Sequence, residues 1–282
     1  AQVGGRHAAI RLGPYTFDTG PTFLMLRQIL DEVFEEAGAA TAEYLDVRPL
    51  DPMYHLVFRD KILKVTPDHE RMRQEIERVF PGKGSRYDRF LDQEKQRFKR
   101  LYPCLQKSYH RFRTLFHPDM LRALPRLSLG RSLFDVVDGL FGDEQLALSF
   151  TFQSKYLGMS PWDCPGLFAM IPYIEHGLGI FHVAGGLSRI SDAMAQVAAR
   201  RGAVIRCSAP VKRVIVESGR TCGVELAGGE RIEADEVVLN ADFGHAMTHL
   251  FEPGVLKKYT PANLAGKKLS CSTYMLYLGT DR

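Results

Sequence analysis

The chain has 282 residues, 45% hydrophobic and 25% charged, with a formal net charge of +4; this is ordinary globular composition, enough for about two domains. No apolar run approaches the roughly 18 residues of a membrane-spanning helix, and the start lacks the charged-then-apolar layout of a signal peptide. Five cysteines, Cys104, Cys164, Cys207, Cys222 and Cys271, are too scattered for a zinc or redox motif and point to a reducing, cytoplasmic setting. The sequence opens on Ala1 without a methionine and stops inside a strand-like run, 272–278, so both ends read as truncations.

Residues 14–23 form a turn region punctuated by glycine and proline, after which Leu26, Ile29, Leu30, Val33 and Phe34 recur at helical spacing and predict a helix over 23–37. Residues 44–65 read as extended: Val57 and Phe58, then Ile62, Leu63 and Val65, flank a turn at Arg59, Asp60 and Lys61, predicting a hairpin. From 67 to about 148 the pattern is helical and charged, with helix breaks expected at Pro81, Pro103, Pro118 and Pro125. Within it, 95–131 holds ten Lys or Arg against one acid, Asp119, interleaved with Phe98, Leu105, Leu115, Phe116, Leu121 and Leu124. Such a basic amphipathic surface suits anionic lipid, and no recognition motif for nucleic acid accompanies it.

After Gly185 and Gly186, Leu187, Ile190, Met194 and Val197 predict an amphipathic helix closed by Gly202. The segments 212–217, 222–226 and 231–234, separated by Ser218-Gly219 and Gly228-Gly229, predict an antiparallel meander. The short apolar run 236–241 reads as a buried parallel strand ending in polar residues, where ligands commonly sit.

Gly4, Gly5 and Arg6 offer a backbone able to approach a phosphate closely, beside a guanidinium that grips it with two hydrogen bonds; alone, such a tripeptide is more often a surface turn. Asp18, Thr19, Gly20 and Pro21 end a strand-like stretch in a sharp turn whose backbone can face a flat ligand, although Asp, Gly and Pro are also the default turn residues. His245 and His249 have the spacing of a metal pair, but Ala246 stands where a zinc protease needs glutamate, so no metal is expected.

Gly-Gly-Arg followed by FDTGP, then FTFQSKYLGMSP (150–161), GIFHVAGG (179–186), APVKRVIVESGRTCGVEL (209–226), ADEVVLNADF (234–243) and CSTYMLYLG (271–279), resembles in content and order the phytoene desaturase (carotenoid dehydrogenase) family of amine-oxidase-like flavoproteins. The resemblance implies an α/β fold: a Rossmann-like FAD-binding domain over 1–45 and 179–247, interrupted by a largely helical domain for substrate and membrane over 46–178 and 248–282. It implies FAD, with Gly4, Gly5 and Arg6 at the pyrophosphate and Asp18, Thr19, Gly20 and Pro21 beside the flavin. Val211 resembles the residue whose backbone meets the adenine, and Asn240, Ala241 and Asp242 resemble a further cofactor wall. A G-x-G-x-x-G turn and a later glycine-rich flavin segment are absent. Val183 replaces a proline frequent in the family, and Ala147 stands where some relatives carry arginine.

The implied reaction is desaturation of a long-chain isoprenoid at the membrane surface: hydride passes to the flavin and a proton leaves the neighbouring carbon. Asp143 and Glu144 are the acid/base candidates, with a solvated helix N-terminus as their bland alternative. A carotenoid isomerase or retinoid saturase shares these motifs, and so, outside enzymes, does a prenyl-binding chaperone of small GTPases.

Overall fold

Strands β1 (Ala9–Leu12) and β2 (Tyr15–Asp18) pair antiparallel, with Ala9 opposite Asp18, directly after one 3₁₀ turn at Gly5–His7. The protein, described by a computed structural model over residues 2–109 and 111–280, divides into two compact units: Gly4–Gly202 joined by the segment from Ser270, and a second unit that is mainly Ala203–Leu269.

In the first unit the predicted helix appears as α1 (Arg27–Glu36). It starts later than the spacing implies because Leu24 is held by paired backbone hydrogen bonds to Phe181, 2.7 and 2.8 Å, and Leu26 turns the chain with a φ of 53°. β3 (Val47–Pro49) follows, and then β4 (Tyr54–Val57) and β5 (Ile62–Val65) form the expected hairpin, closed by Phe58 N–H to the Lys61 carbonyl at 2.8 Å.

The helical region begins with α2 (His69–Val79), capped by the Asp68 carboxylate on the Arg71 N–H, and ends before Pro81 as expected. α3 (Gly84–Leu105) buries Tyr87, Phe90, Leu91, Leu101 and Cys104 on one face. The expected break at Pro103 is corrected: Pro103 lies inside the last turn of α3, which gives up only the bond that an N–H at 103 would make to the Lys99 carbonyl and ends two residues later. Pro118 likewise opens a helix, α4 (Pro118–Ala123), and Pro125 sits in the first turn of the 3₁₀ segment Leu124–Arg126; an N–H is unpaired at those positions in any case.

α5 (Leu133–Phe141) starts with a reciprocal Ser132/Asp135 capping box and stops at Gly142, φ 58°. α6 (Glu144–Ser149) and α7 (Met170–Leu178) follow; β6 (Phe181–Val183) then pairs antiparallel with β3, Val183 opposite Val47, and α8 (Ser188–Arg200) ends just before Gly202.

Two cores result. Leu63, Met72, Ile76, Phe90, Leu133, Phe141, Leu146 and Phe150 are fully buried together. Phe90, Phe141 and Phe150 stand 4.8–5.5 Å apart, each such pair adding about 0.5–1.5 kcal/mol beyond its buried area. The second core joins Leu30 and Phe34 of α1 to Leu187, which precedes α8, and to Ile190 and Val197 within it.

In the other unit β7 (Val211–Glu217), β8 (Arg220–Leu226) and β9 (Arg231–Glu233) form the expected meander in the order β7-β8-β9. α9 (Phe243–His249) packs Ala246 against Val214, and α10 (Pro261–Ala265) follows. The strand expected over 236–241 is corrected: Val237 and Leu239 pack beside Val214, Val238 is 90% exposed, and none of these residues is in a strand. A strand is defined by its hydrogen-bonded neighbour, and no described residue supplies one. The strand-like run 272–278 is also irregular, with Tyr274, Leu276 and Leu278 exposed.

Candidate functional site

Three segments of the first unit converge on the turn after β2. The Asp18 carboxylate accepts the N–H groups of Leu187 (2.8 Å) and Ser188 (3.1 Å), capping the start of α8. Thr19 donates its hydroxyl to the Ala8 carbonyl at 2.7 Å, and His7 Nδ1 lies 2.9 Å from the Ser191 hydroxyl. The glycines permit this closeness: a Cβ on Gly20 would lie 2.4 Å from the Arg6 carbonyl oxygen, and one on Gly186 2.9 Å from both Asp18 carboxylate oxygens. Gly4, Gly5, Arg6, Asp18, Thr19 and Gly20 are thereby brought together, with Pro21 exposed at the outer edge of the turn.

This arrangement fits the diphosphate-bearing flavin that the sequence resemblance implies. Gly4 and Gly5, with φ of 103° and 52°, keep the backbone of the first turn free of side chains, and Arg6 beside them is exposed. Asp18 holds the turn from behind by its bonds to α8. Val183, in the place of the family proline, is fully buried and paired in β6, while Ala184 N–H binds the Asp46 carbonyl at 2.9 Å.

The other proposed cofactor residues lie in the second unit. Val211 is the first residue of β7; Asn240 and Ala241 are exposed; Asp242 caps α9, accepting the His245 N–H at 3.0 Å. Asp143 caps α6 by accepting the Leu146 N–H at 2.9 Å, and Glu144 is exposed in that helix's first turn. Ala147 is fully buried in the core. His245 and His249 stack at 4.4 Å, with His249 Nδ1 2.7 Å from the Thr248 hydroxyl.

One buried acid of the first unit, on α7, is announced by no motif. Glu175, on α7, is fully buried and accepts hydrogen bonds from Tyr54 Oη (2.9 Å), Gln153 Nε2 (2.8 Å) and Tyr156 Oη (3.0 Å). Burial pushes its carboxyl above the usual range, against the three donors that favour the charged form. Burial likewise raises the Tyr54 and Tyr156 hydroxyls, each further raised by the Glu175 charge. The adjacent His176 is stacked on Phe150 at 4.5 Å and held down to about 3 by burial, so its imidazole is neutral. Glu175 is the single acid in the apolar stretch 167–180, which is the sequence signal that marks it.

A model of the family described as flavin containing amine oxidoreductase matches residues 1–272. The chain is 49% identical over 282 residues to a 4,4'-diapophytoene desaturase (4,4'-diapolycopene-forming) of Methylomonas sp, covering 100% of this chain and 55% of that protein. It is 34% identical over 281 residues to a zeta-carotene-forming phytoene desaturase of Myxococcus xanthus, covering 99% and 54%. Among solved structures, a putrescine oxidase variant matches with a TM-score of 0.58 at 16% identity, over 92% of this chain and 54% of that one. An oxidoreductase from Methanosarcina mazei matches with 0.53 at 17%, over 93% and 55%. The chain therefore spans about half the length of the curated relatives it matches. Its fold is the α/β FAD-binding fold of the amine oxidases, and FAD is the cofactor consistent with the glycine turn and Arg6. With the family model covering nearly all of it, the chain belongs to the flavin containing amine oxidoreductases.

Proposed function

We propose that the full-length protein is an FAD-dependent desaturase acting on a long-chain isoprenoid, a phytoene-like carotenoid precursor. The observation that carries this reading is the likeness, across the whole chain, to the Methylomonas diapophytoene desaturase. Bound flavin supplies the hydride acceptor. The chain's own residues have the remaining tasks: Gly4, Gly5 and Arg6 to receive the pyrophosphate, Asp18 to fix the turn at 18–21, and a base to take the proton that leaves the neighbouring carbon.

We also propose that the enzyme docks on the cytoplasmic membrane surface through 95–131. Leu105, Leu115, Phe116, Leu121 and Leu129 are exposed there, and Lys99, Arg100, Arg111 and Arg113 form no ion pair among the described residues. The segment's one acid, Asp119, is held below its ordinary range by the hydrogen bond from Lys107. Cations around apolar side chains bind a lipid interface, where a hydrocarbon substrate resides.

The test uses the complete reading frame in two bacterial hosts, one accumulating phytoene and one 4,4'-diapophytoene. Products lighter by two hydrogens per step support desaturation and identify the chain length. Unchanged precursor in both hosts, with flavin bound to the purified protein, overturns it. Oxygenated or isomerised products instead point to the terminal oxidations that other relatives are named for, or to an isomerase.

A further inference from the structure

We propose that Tyr156 and Glu175 form a proton relay serving the flavin site, with Tyr156 the outer member and Glu175 the buried acceptor that acts through it. The proposal rests on the desaturase reading above. It begins from position: the Tyr156 ring meets Phe23 edge-on at 5.9 Å, and Phe23 follows Pro21 by two residues at the end of the turn held by Asp18. Tyr156 is 38% exposed, whereas Glu175, 3.0 Å from its hydroxyl, is fully buried. A single hydrogen bond thus connects the surface beside the turn to a carboxyl sealed in the interior.

A purely structural role fits these residues poorly. Glu175 makes no ion pair among the described residues; its three partners are neutral donors, and a glutamine would fill the same space without the cost of a buried charge, at the loss of the bonds to one of the two oxygens. Retaining a carboxyl there makes physical sense if its proton is used. The groups facing it are Tyr54 from β4, Gln153, Lys155 and Tyr156 from the 3₁₀ segment Phe152–Leu157, and His176 on its own helix. His176 is neutral, and Lys155 stands over the rings of Phe152 (4.7 Å) and Tyr156 (5.6 Å), leaving Glu175 as the acceptor of the group. Its upward displacement by burial moves it toward the range in which a general base works at neutral pH.

One allylic C–H bond of the substrate breaks with its electron pair leaving as hydride to the flavin. A C–H bond on the neighbouring carbon breaks with its electrons remaining as the new C=C bond. Its proton forms an O–H bond on Tyr156 while the phenolic proton of Tyr156 passes to the Glu175 carboxylate. The substrate is oxidised by two electrons, the flavin is reduced by two, and Tyr156 is unchanged. The proton on Glu175 returns to solvent by the reverse path, for which the partial exposure of Tyr156 provides the exit.

The test compares full-length, FAD-loaded wild type with E175Q and Y156F, using anaerobic stopped-flow reduction of the flavin by the accepted precursor across pH. The wild-type rate rises with pH as Glu175 ionises. E175Q loses that limb and is slower by about 100-fold or more; Y156F, altered at a half-exposed ring and so less disruptive to folding, is slowed similarly. Flavin content and thermal melting identify any variant that has merely failed to fold. A well-folded E175Q that keeps the wild-type limb and rate overturns the relay. Should no precursor reduce the wild-type flavin, the desaturase reading fails, and infrared titration of the carboxyl band decides the relay separately. A band absent in E175Q and shifted in Y156F supports it, and a spectrum identical in all three proteins overturns it.

Discussion

Gly186 approaches Asp18 so closely that any Cβ on the glycine would stand 2.9 Å from both carboxylate oxygens, and its φ of 99° is one that L side chains rarely adopt. G186A is therefore expected to cost about 1–3 kcal/mol and to push Asp18 off the start of α8. Thermal melting and the flavin-to-protein absorbance ratio check this: both fall together if the turn at 18–21 holds the cofactor.

The D18N variant separates shape from charge. The amide fills the same space, but its nitrogen cannot accept the N–H of either Leu187 or Ser188, so one of the two bonds is lost. A loss of about 1–3 kcal/mol is expected, with FAD released at lower urea than in the wild type.

Glu94 and Arg97 on α3 are 0% and 3% exposed and lie 2.7 Å apart, although their N–H and oxygen are poorly aligned for a hydrogen bond. Arg97 also donates to the Arg126 carbonyl at 2.7 Å and the Ser128 hydroxyl at 2.9 Å, so it fastens the loop after α4 onto α3. Removing Glu94 alone as E94L leaves a buried cation, and about 3–5 kcal/mol of stability is expected to go. The double variant E94L/R97M is expected to lose less than the sum of the single changes, as read from urea melts of the three proteins.

Stability also carries a pH signature from Glu175. Burial raises its folded pKa above the unfolded value, so the native state binds the extra proton between the two. The penalty of the buried charge is present above the folded pKa and is relieved as pH falls through it. The melting temperature of E175Q minus that of the wild type is thus expected to be larger at pH 8 than near pH 5. An unchanged difference would mean that Glu175 does not titrate in the native protein.

For the basic segment, K99E/R100E/R113E is expected to weaken sedimentation with anionic liposomes at low salt by a hundredfold or more, at about 1 kcal/mol per basic residue. Neutral liposomes should bind the wild type weakly and distinguish lipid charge from apolar insertion.

The parts legible in the sequence are those whose cause is local. α1, the hairpin closed across Arg59, Asp60 and Lys61, α8 ended before Gly202, and the meander each follow from side-chain period and turn chemistry within one short stretch. The run 236–241 has the side-chain pattern of a strand, but pairing requires a neighbour that the pattern does not encode. Pro103 stays helical because the packing of α3 outweighs the single bond lost to its preceding turn, which a local rule for proline does not register. Within the site, the glycine turn and Asp18 stand out as a motif, but the grip of Asp18 on α8 does not, since its partners lie 169 and 170 residues away. The surroundings of Glu175 are hidden for the same reason: Tyr54, which helps define them, is 121 residues distant.

Those separations have a kinetic meaning. The turn carrying Asp18 leaves the ribosome well before α8, and Tyr54 well before Glu175, so neither contact can close until most of the first unit has been synthesised. Contacts between residues so distant in the chain carry a large loop-closure entropy and form late in folding. Until then β1 and β2 pair only with each other among the described residues, and a two-stranded hairpin is marginal in water by itself. Nascent chains arrested before residue 187 should therefore be protease-sensitive around the 18–21 turn, and protection there should appear in one step once α8 has emerged.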